Sequence, residues 1–164
     1  MNGAKRILIA GIGNIFLGDD AFGVEVVKEL TGCELPEGVD VVDFGIRGYD
    51  LAYAIMEGYA ATVLVDATPR GNVPGTLYLI EPDTKELSER TAEVPDSHSL
   101  GPVEVLRLVQ SLGGKIAQLY LVGCEPGALE TEDGEIGLSE PVQAAVPQAV
   151  EMIRKLLNDL RAEA

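Results

Sequence analysis

The sequence predicts an α/β fold, in which a twisted, largely parallel sheet lies between helices on both faces of a three-layer domain. Short apolar runs that end in glycine or aspartate alternate with segments of helical periodicity, which is typical of parallel sheets. The 164 residues are 46 % hydrophobic and include 19 glycines. This length suits one hydrophobic core, so we expect residues 1–164 to form a single domain.

The first apolar run, residues 6–10, predicts a buried strand that meets a sharp turn at Gly11 to Asn14. A helix should follow, because apolar side chains then recur at helical spacing up to Leu30, before Gly32. Asp19 or Asp20 is expected to cap this helix, as aspartate is a favoured N-cap residue.

The next segments continue the alternation of strands and helices. Residues 39–44 predict a second strand, residues 49–57 a short helix and residues 62–67 a third strand that contains Asp66. Residues 76–80 predict a further strand. The polar stretch 81–97 has no clear period, so we expect an irregular segment of the kind that often carries function.

The last third of the chain predicts two more helices and a strand. Residues 99–112 predict a helix, Gly113 and Gly114 end it, and residues 116–122 predict a strand. Ser139 should cap a terminal helix with one apolar stripe, which Pro147 is expected to kink.

Charge and cysteine content exclude several classes of function. A net charge of −15 and a pI near 4.3 oppose binding to nucleic acid or to anionic membranes. The apolar run near the N-terminus is too short for a membrane span or a signal peptide. Cys33 and Cys124 are far apart and have no metal-type spacing, so we expect a reducing, cytoplasmic location.

Three polar residues lie where a ligand would be expected in a parallel sheet, beyond the carboxyl ends of strands. Asp20 follows the first strand, Asp66 ends the third, and His98 precedes a predicted helix. Carboxylate oxygen and imidazole nitrogen are suitable ligands for nickel or zinc. A structural interpretation also stands, and spacing alone favours it: Asp20 as a cap, Asp66 bonding loop amides and His98 as a surface residue.

Four segments carry a resemblance to a known family: GIGNIFLGDDAFGVEVV at residues 11–27, VLVDATP at 63–69, SHSLG at 97–101 and LVGCEPGALE at 121–130. Together they resemble the maturation proteases of nickel-iron hydrogenases. The resemblance implies that Asp20, Asp66 and His98 bind the metal and are the candidate catalytic groups. Several relatives have glutamate at the first of these positions, so Asp20 is a shorter side chain with the same donor.

The resemblance also implies the substrate, which is the large-subunit precursor of a nickel-iron hydrogenase. The protease would remove a C-terminal extension after nickel insertion, and nickel carried by the precursor would complete its coordination with the three residues. No permanently bound cofactor is expected.

The segment VVDFGIRGYDL, residues 41–51, departs from a DGGT-like segment of many relatives. We expect this loop to contact the substrate through Asp43, Gly45 and Arg47. Arg47 could bind a carboxylate or carbonyl of the precursor tail, or it could be an ordinary exposed arginine.

Two other functions remain open from the sequence. One is a different metal-dependent hydrolase on the same fold. The other is a nickel-binding chaperone or adaptor that holds the precursor without cutting it.

Overall fold

Five strands form the sheet in a computed structural model that describes residues 5–83, 102–127 and 137–162. The strands lie in the order β2-β1-β3-β5-β4. Their bounds are Ile7–Ile12 for β1, Val39–Gly45 for β2, Ala61–Ala67 for β3, Leu77–Ile80 for β4 and Leu119–Cys124 for β5. Neighbouring strands are parallel except β4, which runs antiparallel to β5 at one edge. The predicted, largely parallel sheet is confirmed.

The described helices cover both faces of the sheet. A short 3-10 helix, Gly18–Ala21, precedes the first α-helix. The α-helices are Phe22–Thr31 for α1, Gly48–Ile55 for α2, Pro102–Ser111 for α3 and Glu140–Ala162 for α4. Helices α1 and α4 pack on one face, and α2 and α3 pack on the other. The three-layer prediction is therefore confirmed.

Two apolar cores form because the strands carry apolar residues on both faces. Within β1, Ile7 and Ile9 pack toward α1 and α4, whereas Leu8 and Ala10 pack toward α2 and α3. All six residues of β1 and of β5 are buried. Such continuous burial explains why these strands read as unbroken apolar runs.

Helix α4 buries the apolar stripe that its sequence predicts, and each side chain of the stripe is worth about 1.5–3 kcal/mol if it is large and fully buried. The helix begins directly after Ser139, whose carbonyl accepts the Gln143 amide at 2.8 Å. It continues through Pro147 as one helix. The buried residues are Val142, Ala145, Val146, Ala149, Val150, Ile153, Leu156, Leu157 and Leu160.

The expected cap of α1 is wrong. The residue at the N-cap is Ala21, and no side chain bonds to the first turn of this helix. Asp19 and Asp20 lie one step earlier, in the 3-10 helix, and their carboxylates bond to other parts of the chain. Neither Asp19 nor Asp20 caps α1, because both carboxylates accept hydrogen bonds from other parts of the chain.

Other boundaries shift by a few residues. β1 extends to Ile12, because Ile12 pairs with Gly45 of β2 after a bulge. β5 begins at Leu119, three residues later than predicted, and ends at Cys124. The predicted irregular segment lies outside the described residues from position 84 onward, as do residues 99–101 of the predicted third helix.

The strand order places the switch in winding direction between β1 and β3, where a crevice is expected beyond the carboxyl ends of the strands. The chain passes from β1 to β2 on one side and then returns to β3 on the other side of β1. Where the direction of winding reverses in this way, the loops beyond the strand ends separate and leave space for a ligand. Asp20 follows β1, and Asp66 is the second-last residue of β3.

Candidate active site

The turn after β1 and the first turn of α1 each contain a glycine because the chain packs too closely there for a side chain. A Cβ at Gly23 would overlap the carbonyl oxygens of Val65 and Ile12, and one at Gly13 would overlap the carbonyl oxygen of Asp20. Gly13 also has a φ of +149°, which disfavours other residues. Gly13 and Gly23 therefore allow the start of α1 to pack closely against the sheet.

Asp20 is held at the crevice by the turn that precedes it. Its Oδ2 accepts a hydrogen bond from the Asn14 amide at 2.8 Å, and its own amide donates to the Leu17 carbonyl at 3.0 Å. The side chain is half-buried. The Asn14 amide thus fixes one oxygen of the Asp20 carboxylate, and the group as a whole lies at the edge of the sheet.

Asp66 lies next to the last residue of β3 and is half-buried. Its Oδ1 accepts the Ala67 amide at 2.8 Å. Burial, and then the charge of Asp20, raise the pKa of Asp66 well above its usual range. This electrostatic effect of Asp20 indicates that the two carboxylates lie near each other, and their role as metal ligands stays a prediction.

Two carboxylates that share a partly buried crevice form a suitable half-site for a cation. Their mutual repulsion and loss of hydration disfavour the doubly charged pair, and a positive ion between them would offset both costs. Within residues 5–83, 102–127 and 137–162, no three His, Cys, Asp or Glu side chains converge as a metal site. The third predicted ligand, His98, lies outside the described residues.

The three predicted substrate-contact residues form a closed turn where β2 ends and its following loop begins. Gly45, with a φ of +56°, donates its amide to Asp43 Oδ1 at 2.8 Å. Arg47 turns back on the same loop, where Nη2 donates to the Asp43 carbonyl at 2.6 Å and Nε to the Phe44 carbonyl at 3.2 Å. Its Nη1 also meets Asp50 at 3.4 Å. The Arg47 guanidinium thus stabilises the turn in which Arg47 lies.

Sequence reasoning missed the role of Asp19, which is only 1 % exposed. Its carboxylate accepts hydrogen bonds from Gly127 and Ser139, more than 100 residues away along the chain. The two adjacent acids therefore have different positions: the Asp19 side chain is turned inward, and the Asp20 side chain lies toward the crevice. The sequence did not predict this contact, because its partners are distant along the chain and no residue next to Asp19 in the sequence indicates them.

Glu125 is a second buried acid that sequence reasoning did not single out. It is 4 % exposed, and its Oε1 accepts the Tyr78 hydroxyl at 2.7 Å and the amides of Arg70 and Asn72 at 2.9 and 3.1 Å. The Tyr78 hydrogen bond is the main cause that lowers the pKa of Glu125. Glu125 thereby fixes the loop that follows Asp66.

Cys124 does not have the properties of a nucleophile. The side chain is fully buried, and burial, followed by the Asp19 charge, raises the pKa of its thiol to about 11. A thiol with such a pKa is almost entirely protonated at neutral pH and reacts poorly. The carboxylates therefore remain the chemical groups of this crevice.

Other features of the described residues lie apart from these carboxylates. A cavity of about 370 Å³ lies between α4 and the loop before β2, beside Leu35 and Leu157. This is the opposite end of the sheet, because the loop enters the amino end of β2. In the part of the chain that the structure describes, no helix is long and apolar enough to cross a membrane.

Comparison with known proteins gives a consistent result. The sequence model for hydrogenase maturation proteases matches residues 24–156. A relative from Methanocaldococcus jannaschii, provisionally named a hydrogenase maturation protease, is 36 % identical over 91 % of this chain and 94 % of its own length. The coenzyme F420 hydrogenase subunit delta of Methanothermobacter thermautotrophicus is 31 % identical over 90 % and 92 % of the two chains. The solved hydrogenase maturating endopeptidase HybD of Escherichia coli superposes with a TM-score of 0.78, at 31 % identity over 94 % and 93 %.

Proposed function

The chain belongs to the hydrogenase maturation protease family, and we propose that it removes a C-terminal extension from the nickel-loaded large-subunit precursor of a nickel-iron hydrogenase in the cytoplasm. The observation that carries this proposal is the pair Asp20 and Asp66 at the crevice between β1 and β3. A half-buried pair of like charges is costly to maintain, and a cation supplied by the substrate would compensate that cost.

Nickel is part of the substrate in this proposal. The precursor holds the ion, and Asp20, Asp66 and His98 complete its coordination from the side of the protease. Oxygen and nitrogen donors suit divalent nickel, and a precursor without the ion would leave the two carboxylates to repel each other. Selection for loaded precursor follows from this electrostatic difference.

Peptide hydrolysis also needs a group that accepts a proton from the attacking water and a donor for the leaving amine. A carboxylate with a raised pKa is better suited to accept that proton than one with an ordinary pKa. Burial and the Asp20 charge raise the pKa of Asp66 while no cation is bound, and nickel between the two carboxylates would lower it again. Asp20 and Asp66 are therefore both candidates for this base, and either can act only through a carboxylate oxygen that the nickel does not occupy.

The surface around the crevice supports a protein substrate. Phe16 is 69 % exposed on the loop after β1, and Ile46 is 69 % exposed at the turn built by Asp43, Gly45 and Arg47. Contiguous exposed apolar patches mark surfaces that bind other proteins, and we propose that Phe16 and Ile46 belong to one such patch. The proposed substrate contacts thus continue from the carboxylate pair onto the β2–α2 turn.

The test is mass spectrometry of a cognate large-subunit precursor, nickel-loaded or nickel-free, after incubation with this protein. We expect loss of a C-terminal fragment only from the loaded precursor. The variants Asp66→Asn and His98→Ala should each abolish the cleavage, while Leu79→Ser, on the distant strand β4, should retain it. Cleavage of the nickel-free precursor at the same rate would refute nickel recognition.

An adaptor that holds the precursor without cutting it is the second candidate. One similar protein is named as a hydrogenase subunit and not as a protease. The same experiment separates the two functions. An adaptor would form a stable complex with the loaded precursor and leave its mass unchanged, whereas a protease would turn over many precursor molecules.

A further inference from the structure

Asp19 forms a buried link between three distant parts of the chain. Its Oδ1 accepts the Ser139 amide at 2.6 Å, and its Oδ2 accepts the Ser139 hydroxyl and the Gly127 amide, each at 2.7 Å. The turn after β1, the segment after β5 and the start of α4 therefore meet at one carboxylate. Hydrogen bonds to a charged acceptor are about twice as strong as those between neutral groups.

The surroundings of Asp19 are shaped for this link. A Cβ at Gly127 would lie only 3.2 Å from Asp19 Oδ2, so glycine leaves the space that the carboxylate needs. Ser139 precedes the 23-residue helix α4, and an anion at a helix N-terminus is stabilised by the helix dipole. Both the packing and the electrostatics thus hold Asp19 in place.

Asp20 follows Asp19 directly in the 3-10 helix, so the position of one carboxylate restricts the other. The backbone of Asp20 lies against Gly13, where no side chain would fit. On its other side, the Asp20 carboxylate accepts the Asn14 amide. If the link of Asp19 is removed, the 3-10 helix loses its attachment to Gly127 and Ser139, and Asp20 loses the support that precedes it.

We infer that Asp19 is a positioning residue: by binding Ser139 and Gly127, it fixes the direction in which Asp20 presents its carboxylate to the crevice. The effect on catalysis rests on the function proposed above, but the effect on Asp20 does not. A displacement of about 1 Å at a reacting group is enough to reduce a rate by about a hundredfold.

The experiment compares Asp19→Asn and Ser139→Ala with a control variant, Val146→Ala. Val146 is 3 % exposed on α4 and faces the apolar core, so this control lowers stability without touching the link. Asp19→Asn places an amide opposite backbone and hydroxyl donors. Ser139→Ala removes only the hydroxyl donor, and it keeps the test valid if Asp19→Asn fails to fold.

The first readout is the amide of Asn14, observed by NMR in the full protein. Because this amide bonds to Asp20, its chemical shift and its protection from hydrogen exchange report whether Asp20 has moved. We expect both to change in Asp19→Asn and, to a smaller extent, in Ser139→Ala, and to remain at the wild-type values in Val146→Ala. An unchanged Asn14 amide in a folded Asp19→Asn variant would overturn the inference.

The second readout is processing of the nickel-loaded precursor, measured at a temperature well below each variant's Tm. We expect kcat to fall at least about tenfold in Asp19→Asn and to stay near the wild-type value in Val146→Ala. Equal losses in both variants would mean that Asp19 acts only through stability. If the wild-type protein processes no precursor, the proposed function fails, and the Asn14 amide still decides the positioning role.

Discussion

The amide of Gly13 donates a hydrogen bond to the carbonyl of Gly45 at 3.0 Å, which joins the loop after β1 to the loop after β2. Each loop carries an exposed apolar side chain, Phe16 on the first and Ile46 on the second. The carboxylate Asp20 follows the first loop. These loops therefore form one continuous surface beside the crevice.

This surface predicts that Phe16→Ser raises the KM for the nickel-loaded precursor about tenfold and leaves kcat nearly unchanged, as expected for an aromatic contact at an interface. Steady-state processing measures both constants. Leu79→Ser is the matched control, because Leu79 is also exposed but lies on β4 at the far edge of the sheet. An equal rise in KM in both variants would contradict a specific surface.

The raised pKa of Asp66 predicts an unusual dependence of stability on pH. The folded state binds the Asp66 proton more tightly than the unfolded state, whose pKa is about 3.9. The wild type should therefore lose stability as pH rises from about 4 through the folded pKa, by at most about 1.4 kcal/mol for each pH unit that separates the two pKa values. Asp66→Asn should lack this loss, so urea unfolding should show it gaining on the wild type as pH increases.

The lowered pKa of Glu125 predicts a dependence of stability on pH that is opposite in sign to that of Asp66. Its folded pKa is lowered, so the charged form contributes stability above the unfolded pKa of about 4.3, and this contribution is lost as pH falls. Glu125→Gln should accordingly fall furthest behind the wild type at neutral pH and approach it in acid. The same urea titrations provide the measurement, and parallel curves for the two variants would contradict both assignments.

The close packing at Gly23 predicts a large loss of stability on substitution. Gly23→Ala should cost at least about 3 kcal/mol, because its Cβ would overlap backbone oxygens that cannot move aside. Gly32→Ala is the matched control at the other end of α1. Its φ is −86° and its nearest atom would lie 3.5 Å away, so the change should stay within about 1 kcal/mol. Thermal unfolding of both variants tests the contrast.

The hydrogen bonds of Arg47 predict that lysine cannot replace it in the turn after β2, although lysine keeps the charge. Only the planar guanidinium can bond to the carbonyls of Asp43 and Phe44 together, so Arg47→Lys should loosen the turn although it keeps the charge. Faster hydrogen exchange at the Gly45 amide would show this. If Arg47 instead serves only to attract the precursor by charge, Arg47→Lys should leave both the Gly45 amide and KM unchanged.

Local patterns predicted most of the architecture, because they are set by neighbouring residues. The apolar runs of β1, β3 and β5 and the stripe of α4 all bury their side chains as expected. The approach of Asp20 and Asp66 also followed from a rule about strand ends. Contacts that depend on tertiary structure were not predictable in this way.

Asp19 and Ser139 are the clearest example of such a contact. The sequence indicated an N-cap for α1, which is a reasonable local choice for an aspartate before a helix. The folded chain instead places Ser139, 120 residues away, against that carboxylate. A charged acceptor with several donors in a buried place stabilises more than one exposed cap, so the distant partner prevails.

Helix α4 follows all five strands in the chain, so the part of the core that it covers forms only after residues 140–162 have been synthesised. Helix α1 covers only part of its face of the sheet until residues 140–162 exist, and Asp19 cannot bind Ser139 until residue 139 has been made. A growing polypeptide would expose this apolar face to water and to chaperones. The turn that carries Asp20 thus acquires its link to Ser139 only after the strands of the sheet and the start of α4 have all been synthesised.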